Sequence, residues 1–507
     1  MTLLLLILGM LVLLAIRVPV AHAMLLPCLL YTLFSADITL GVAIQRVVAG
    51  INSFPLLAVP LFIMTGYLAN AAGFADRLFR LLARLLKGLP GRLAYVNVGS
   101  SVMFSWMSGA AIADAAGLGA VLVPAMRKEG YDEDFSLGLT GASSMIGPLM
   151  PPSIPAIIYA VTAGVSVGGL FFAGVVPAVM LAAMLCLHVF LHTRRHPPRE
   201  SSGPFVADNS DRADNSDRAD DADRADSTDM ADNRETGSDT AAVTATAAVT
   251  ATAAGGDIAA GGDIAAGGDI AGRGHQGVGQ DGRATGGRPG VGREILSTAP
   301  ILFTPVIILG GILGGVFTPT EAAAAAVMYL LFLGACYRTL HRSMLWQVLL
   351  RTSATTGAIL LIVASASLFG WIVAREQGPQ LVAETLSGQI ERPMAFLLTI
   401  NLFLLVVGML LEPTAALLIC VPVLLPVATQ FGVDPLHLGV VMILNLVIGL
   451  ITPPVGLVLY VLSSVTGADS RAVMRGIVPF LIPLLVTLVA VSLIPELSLW
   501  LPRRLGL

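Results

Sequence analysis

Four short stretches place polar or helix-breaking residues inside otherwise apolar sequence, and any chemistry of this chain is concentrated there. Two read as helical hairpins: Ser105-Trp106-Met107-Ser108-Gly109 with Asp114 behind it, and Gly408 to Thr414 with Glu412 inside it. The other two read as breaks: Ser143 to Ser153, containing Gly147, Pro151 and Pro152, and Asn445 to Pro454, containing Gly449, Thr452 and Pro453. Proline removes a backbone donor and collides with the preceding turn, while glycine permits the dihedrals of an unwound link. Carbonyls freed by such a break are hard oxygen ligands suited to Na⁺, and the half-helix N-termini beside them favour a carboxylate. Ser105, Ser108, Gly109, Ser143, Ser144, Gly147, Pro151, Pro152, Asn445, Gly449, Thr452, Pro453 and Pro454 are therefore expected to line ion and substrate sites. Na⁺ is expected at the Ser143–Gly147 and Asn445–Thr452 breaks. An ionisable group near the bilayer centre costs roughly 2.5–3.5 kcal/mol on insertion scales and so faces a cavity or a partner. Asp114 and Glu412 are accordingly expected to support or tune these sites. Because the pattern occurs twice, two ion sites flanking one substrate site is the economical arrangement.

The elements that position these residues are themselves duplicated. Pro124, Gly130, Asp132, Gly147, Pro151, Pro152, Gly174 and Pro177 reappear as Pro426, Gly432, Asp434, Gly449, Pro453, Pro454, Gly476 and Pro479. All eight pairs have one spacing, 302 residues (426 minus 124 for the first). Gly66 and Gly370, and Asn97 and Asn401, match at 304. Interrupted apolar segments at corresponding places in two membrane halves point to a secondary transporter and its binding site. The chain has 507 residues, 55% hydrophobic and only 12% charged, with mean hydropathy +0.83. Soluble domains carry about 25% charged residues, so this composition predicts an all-α polytopic membrane protein with about ten to twelve embedded segments.

Residues 1–193 and 294–507 are expected to form the two membrane halves, joined by a linker at 194–293. That linker holds successive hexamer tracts beginning at Ala207, Ala241 and Ala253, and its composition predicts disorder. Leu3–Ala15 reads as an uncleaved first helix despite the Ala21-His22-Ala23 motif, because no basic residue precedes the apolar run. In Ala75–Lys87 the residues Arg77, Arg80, Arg84 and Lys87 oppose leucines, giving a basic amphipathic helix expected to lie at the cytoplasmic interface. Its counterpart, Arg375 to Arg392, holds two arginines and three glutamates and has lost that bias. Taking Val96–Met126 as a re-entrant hairpin, the crossings are Phe135–Thr162, Gly168–Leu191, Ile301–Val316, Glu321–Cys336 and Thr355–Trp371. The two repeats are then inverted, with Arg503 and Arg504 outside. Thr320-Glu321 after Pro319 reads as a helix start behind the glycine-rich approach from Gly310.

Several functions are disfavoured. A P-loop requires Gly-Lys, and the two lysines follow Leu86 and Arg127, so ATP hydrolysis is not expected. None of the seven histidines stands in a His-Glu-x-x-His arrangement, and no nucleophile elbow occurs. Cys28, Cys186, Cys336 and Cys420 lie apart in apolar runs, without metal-ligand spacing. No covalent cofactor and no nucleic-acid partner are expected.

The motifs Ser143–Ser153, Phe317–Ala324, Asn445 with Gly449–Gly456, and Gly432-Val433-Asp434-Pro435 resemble the large membrane (permease) subunit of tripartite ATP-independent periplasmic (TRAP) transporters, within the ion-transporter superfamily. The resemblance implies a bacterial inner-membrane, Na⁺-coupled importer of small organic acids, C4-dicarboxylates or related carboxylates. It also implies two partners, a small four-helix membrane subunit and a periplasmic substrate-binding protein. Hairpins and broken helices would travel as an elevator-type transport domain against a scaffold in the lipid bilayer. Two departures stand out: Ala110 replaces a serine common in the family's first hairpin, and Glu412 replaces an aspartate. The alternatives are a stand-alone Na⁺/dicarboxylate symporter and an intramembrane aspartyl protease using Asp114 and Glu412.

Overall fold

A computed structural model describes residues 2–16, 18–35, 38–86, 89, 91–195, 291–387 and 392–507. Among them every regular element is a helix. Among the described residues, seven helical spans of at least 18 residues are apolar enough to cross a membrane, and seven shorter apolar helices accompany them. The chain is a multi-pass membrane protein. The long spans alone fall short of the ten to twelve embedded segments expected from the sequence, and long and short apolar helices together exceed that number.

The N-terminal helices α1 (Thr2–Ala15), α2 (Val20–Phe34) and α3 (Leu40–Ile51) lead through a 3₁₀ turn at Phe54–Leu57 into α4 (Ala58–Ala71). Ala21 and Ala23 are buried inside α2. Next comes α5 (Phe74–Leu85), with Arg80 exposed and Phe74, Leu78, Phe79, Leu81 and Leu82 buried, the amphipathic division expected of it. Lys87 lies outside the described residues. A helical hairpin follows, α6 (Arg92–Ser108) and α7 (Ala111–Lys128), and then α8 (Glu133–Ser143), a 3₁₀ turn at Ser144–Ile146, α9 (Ile154–Ala163) and α10 (Val167–Arg195). The expected crossing Phe135–Thr162 is thus two helices separated by the proline-rich break. Residues 196–290, nearly all of the expected linker, lie outside the described residues, while Arg194 and Arg195 belong to α10.

The chain resumes with α11 (Val291–Leu313) and α12 (Pro319–Cys336). Thr318 caps α12, two residues before Thr320: its Oγ1 accepts from Glu321 N (3.3 Å) while Glu321 Oε2 accepts from Thr318 N (2.8 Å). Helix α13 (Arg342–Arg375) is 34 residues long, twice the crossing Thr355–Trp371 read from hydropathy, because its polar first turns continue the same helix. Then come α14 (Gly378–Ser387), the hairpin α15 (Pro393–Leu410) and α16 (Pro413–Gln430), the broken pair α17 (Pro435–Gly449) and α18 (Leu457–Thr466), α19 (Ser470–Leu493) and α20 (Glu496–Leu505). From α13 onward the element order repeats that from α4, and α16 and α17 begin 302 residues after α7 and α8 (413 against 111, 435 against 133).

The halves pack reciprocally. Helix α7 of the first hairpin lies on α18, and α16 of the second hairpin lies on α9; α8 packs on α19 as α17 packs on α10. This exchange is what a two-fold relation between the repeats produces. Outside this core, α13 braces α2, α3 and α4 and touches α16. Both hairpins are also closed at their bases, by different chemistry. Arg92 pairs with Glu129 at 2.6 Å in the first, and Phe396 stacks on Phe431 in the second (centroids 4.8 Å, interplanar angle 14°).

Candidate functional site

The first break is tied to the first hairpin by a buried chain of hydroxyls and an amide. Ser101 Oγ donates to Ser143 Oγ (2.8 Å), Ser143 Oγ donates to Asn97 Oδ1 (2.8 Å), and Asn97 Nδ2 donates to Thr140 Oγ1 (2.7 Å). All four residues are buried, so these bonds hold α8 against α6 at the point where α8 ends. Ser144 turns back on its own helix and donates to Gly141 O (2.8 Å).

The hairpin tip meets the far side of the break. Gly109 adopts φ +59, a left-handed conformation that costs glycine little. Its Cα faces Pro152 O so closely that any Cβ would overlap that carbonyl. The Pro151-Pro152 peptide is cis. Ser153 then starts α9, accepting from Ala156 N (3.2 Å) and donating to Pro148 O, one of the carbonyls the break leaves without a helical partner. Asp114, in the first turn of α7, is completely buried. Ser108 Oγ donates to its Oδ1; Oδ2 has no hydrogen-bond partner and lies 2.6 Å from where a Cβ on Gly147 would stand. Glycine at 147 is thus what lets a carboxylate reach the broken backbone.

The second break repeats the plan with other side chains. Asn445 Nδ2 donates to both Asn401 O (3.0 Å) and Asn401 Oδ1 (2.9 Å), and Asn401 Nδ2 donates to Ser492 Oγ (2.8 Å). With its amide nitrogen so engaged, Asn445 presents Oδ1, buried and without a partner. The backbones of Gly408 and Gly449 touch: a Cβ on Gly449 would stand 2.5 Å from Gly408 C, and one on Gly408 2.7 Å from Leu446 O. Thr452 Oγ1 donates to Ile448 O (2.8 Å), Pro453-Pro454 is cis, and Gly456 (φ +29) leads into α18. Glu412 differs from Asp114 in role. It is the N-cap of α16, with Oε1 accepting from Thr414 Oγ1 (2.7 Å) and Oε2 from Ala415 N (3.2 Å). Its carboxylate holds together its own hairpin turn.

The hairpins and twinned breaks run through nearly the whole chain, and so does a family match: residues 7–497 fit the model of the tripartite ATP-independent periplasmic transporter, DctM component. This chain belongs to that family. It is similar to the sialic acid TRAP transporter large permease protein SiaM of Vibrio cholerae, 36% identical over 496 residues, 98% of this chain and 97% of that protein. It is also 32% identical to the C4-dicarboxylate TRAP transporter large permease protein DctM of Pseudomonas aeruginosa, across 94% of this chain and 92% of the relative. The Alcanivorax borkumensis YdaH transporter structure shares the fold, with TM-score 0.52 and 16% identity over 92% of this chain and 90% of that one. The relatives are permease subunits and not enzymes, which removes the protease alternative; Glu412, moreover, is committed to capping a helix.

Within this TRAP permease the residues read from the sequence fall into distinct positions. Gly109 with Pro152, and Gly408 with Gly449, form the two hairpin-to-break contacts. Ser143 and Asn445 take matching places against Asn97 and Asn401. Ser105 is spent on its own helix, donating to Val102 O (2.6 Å). Pro151 and Pro453 shape the breaks as the residues preceding the second proline of each cis pair. Ser101, Thr140 and Ser492 complete the networks but carried no sequence signal as site residues. Asn97 and Asn401 did, through their repeat spacing, yet were not assigned a role.

Proposed function

We propose that this permease couples inward flow of Na⁺ to import of a small organic acid across a bacterial inner membrane. In this reading a periplasmic binding protein delivers the acid, a small four-helix membrane subunit stands beside the permease, and the hairpins and broken helices move together as an elevator. One observation carries the proposal. Each break holds one buried side-chain oxygen with no hydrogen-bond partner, Asp114 Oδ2 in the first and Asn445 Oδ1 in the second. Such atoms are costly unless something binds them, and together with carbonyls of an unwound helix they form the hard-oxygen donor set that suits Na⁺. Residues 103–114, 143–154, 405–416 and 445–457 contain no lysine or arginine. An organic anion at these tips therefore draws on the N-termini of α9 and α18 and on the co-transported cations. The named substrates of SiaM and DctM, sialic acid and C4-dicarboxylates, differ from one another, and a small carboxylate is the class they share.

Uptake of labelled organic acids into proteoliposomes under an inward Na⁺ gradient tests the proposal. Transport that requires both Na⁺ and the binding protein is the expected result. Uptake by the chain alone, or uptake driven equally well without Na⁺, would overturn the tripartite or the coupling part respectively.

A further inference from the structure

The first turn of helix α5 packs on the connection between α12 and α13. Phe74 meets the Tyr337 ring edge-on (centroids 5.9 Å, 73°), and the Arg77 guanidinium lies over the same ring, 4.2 Å from its centroid. One turn along α5, Arg80 is exposed; directly after Tyr337, Arg338 is exposed, and Arg342 is exposed at the start of α13. Among the described residues no carboxylate pairs with Arg80, Arg338 or Arg342. Residues 77–86 and 337–351 contain no acid, Asp76 being the single one beside them. One turn into α13, Trp346 is 63% exposed, followed by exposed Leu349 and Leu350. A guanidinium stacked on an amphipathic aromatic ring, with exposed arginines and an apolar slope beside it, belongs at the boundary between headgroups and acyl chains. The other end of α13 lacks this charge pattern: there Glu376 sits beside Arg375 and accepts from Tyr31 OH (2.5 Å).

We propose that the corner between α5 and the α12–α13 connection binds an acidic phospholipid, its phosphate against Arg80, Arg338 and Arg342 and its acyl chains along Trp346. Arginine matches phosphate oxygens through paired N–H donors, and each basic residue near an anionic surface adds to the attraction. The corner joins the arm that leads into the first hairpin to the long brace α13, so bound lipid would tie those two parts together at the membrane surface.

Quenching of tryptophan fluorescence in the full-length protein by brominated lipid tests this, with W346F measured in parallel to isolate Trp346 from the other three tryptophans. Brominated phosphatidylglycerol should quench the Trp346 signal at a mole fraction roughly fivefold lower than brominated phosphatidylcholine. The R80Q/R338Q/R342Q variant should lose that preference and the corresponding lysine variant should keep most of it. R342Q alone, a single exposed change, should reduce it, which keeps the test decisive if the triple variant does not fold. Equal quenching by both lipids in the unmodified protein, or a preference that survives in the glutamine variants, would overturn the proposal. So would its abolition by millimolar inorganic phosphate, which would indicate a site for a free anion instead of a lipid.

Discussion

Gly109 illustrates why single residues decide this site. Its positive φ and its overlap-range approach to Pro152 O act together, so alanine there meets both backbone strain of about 1–3 kcal/mol and a steric collision with main chain that cannot swing away. Gly109→Ala is expected to insert normally in the membrane and to reduce uptake at least about tenfold, measured as the initial rate per reconstituted molecule. Asn445→Ala removes two donated bonds and the free Oδ1 at once. The apparent Na⁺ affinity should fall roughly five- to tenfold, and the melting point should drop by an amount consistent with about 1–3 kcal/mol; unchanged Na⁺ dependence would dismiss Asn445 as an ion ligand. The residue types at these positions were legible from sequence. Their partners were not, because Asn97 and Ser143 are 46 positions apart and only the packing of α6 on α8 brings them within 2.8 Å. The same limit explains Glu412: an acid next to proline in an apolar run reads equally as a ligand or a cap, and the geometry of the following N–H groups decides.

Elements show a division between a repeated plan and its local execution. Both hairpins must keep their two arms together while the tips engage the breaks, and the two bases solve this with an ion pair and with a ring stack. Arg92→Ala strands Glu129, which is only 11% exposed on its side chain, and should cost about 1–3 kcal/mol, less than a fully buried pair because Arg92 is 20% exposed. The charge-reversed pair R92E/E129R should recover part of that loss in a thermal melt; no recovery would mean that shape and not charge closes the base. Phe431→Ala in the second hairpin should cost about 1–3 kcal/mol through loss of the stack, less than a core phenylalanine because Phe431 is half-buried, with no salt dependence. Polar, glycine and proline residues inside apolar runs identified the hairpins and breaks, but hydropathy could not set the ends of the helices, since lipid-facing and buried apolar residues look alike in sequence. Helix α13 shows this most clearly: Arg342, Gln347 and Arg351 interrupt the apolar residues of its first three turns, which are nonetheless continuous with the crossing.

At the scale of the whole molecule, the repeats hold each other. The seam between α8 and α19 is main chain against main chain: a Cβ on Gly138 would overlap Gly476 O, and one on Gly476 would overlap Asp134 O. Gly476→Ala should therefore force α19 away from α8 and yield protein that is polydisperse in size-exclusion chromatography, whereas Gly117→Ala on α7, where a Cβ meets nothing within 4 Å, should elute as the unmodified chain does. Sequence by itself determined that the protein is a helical membrane protein made of two related halves, where its helices break, and which family it resembles. Those properties depend on composition and on the spacing of glycine and proline, which act locally through backbone dihedrals and missing donors. Tertiary structure alone decided that each hairpin lies on the other half's broken helix, that Asp114 reaches the backbone at Gly147 while Glu412 turns into a cap, and that one oxygen in each break is left without a partner. Such facts depend on which surfaces meet across hundreds of residues, and apolar side chains, which drive that meeting without direction, carry no record of their partners.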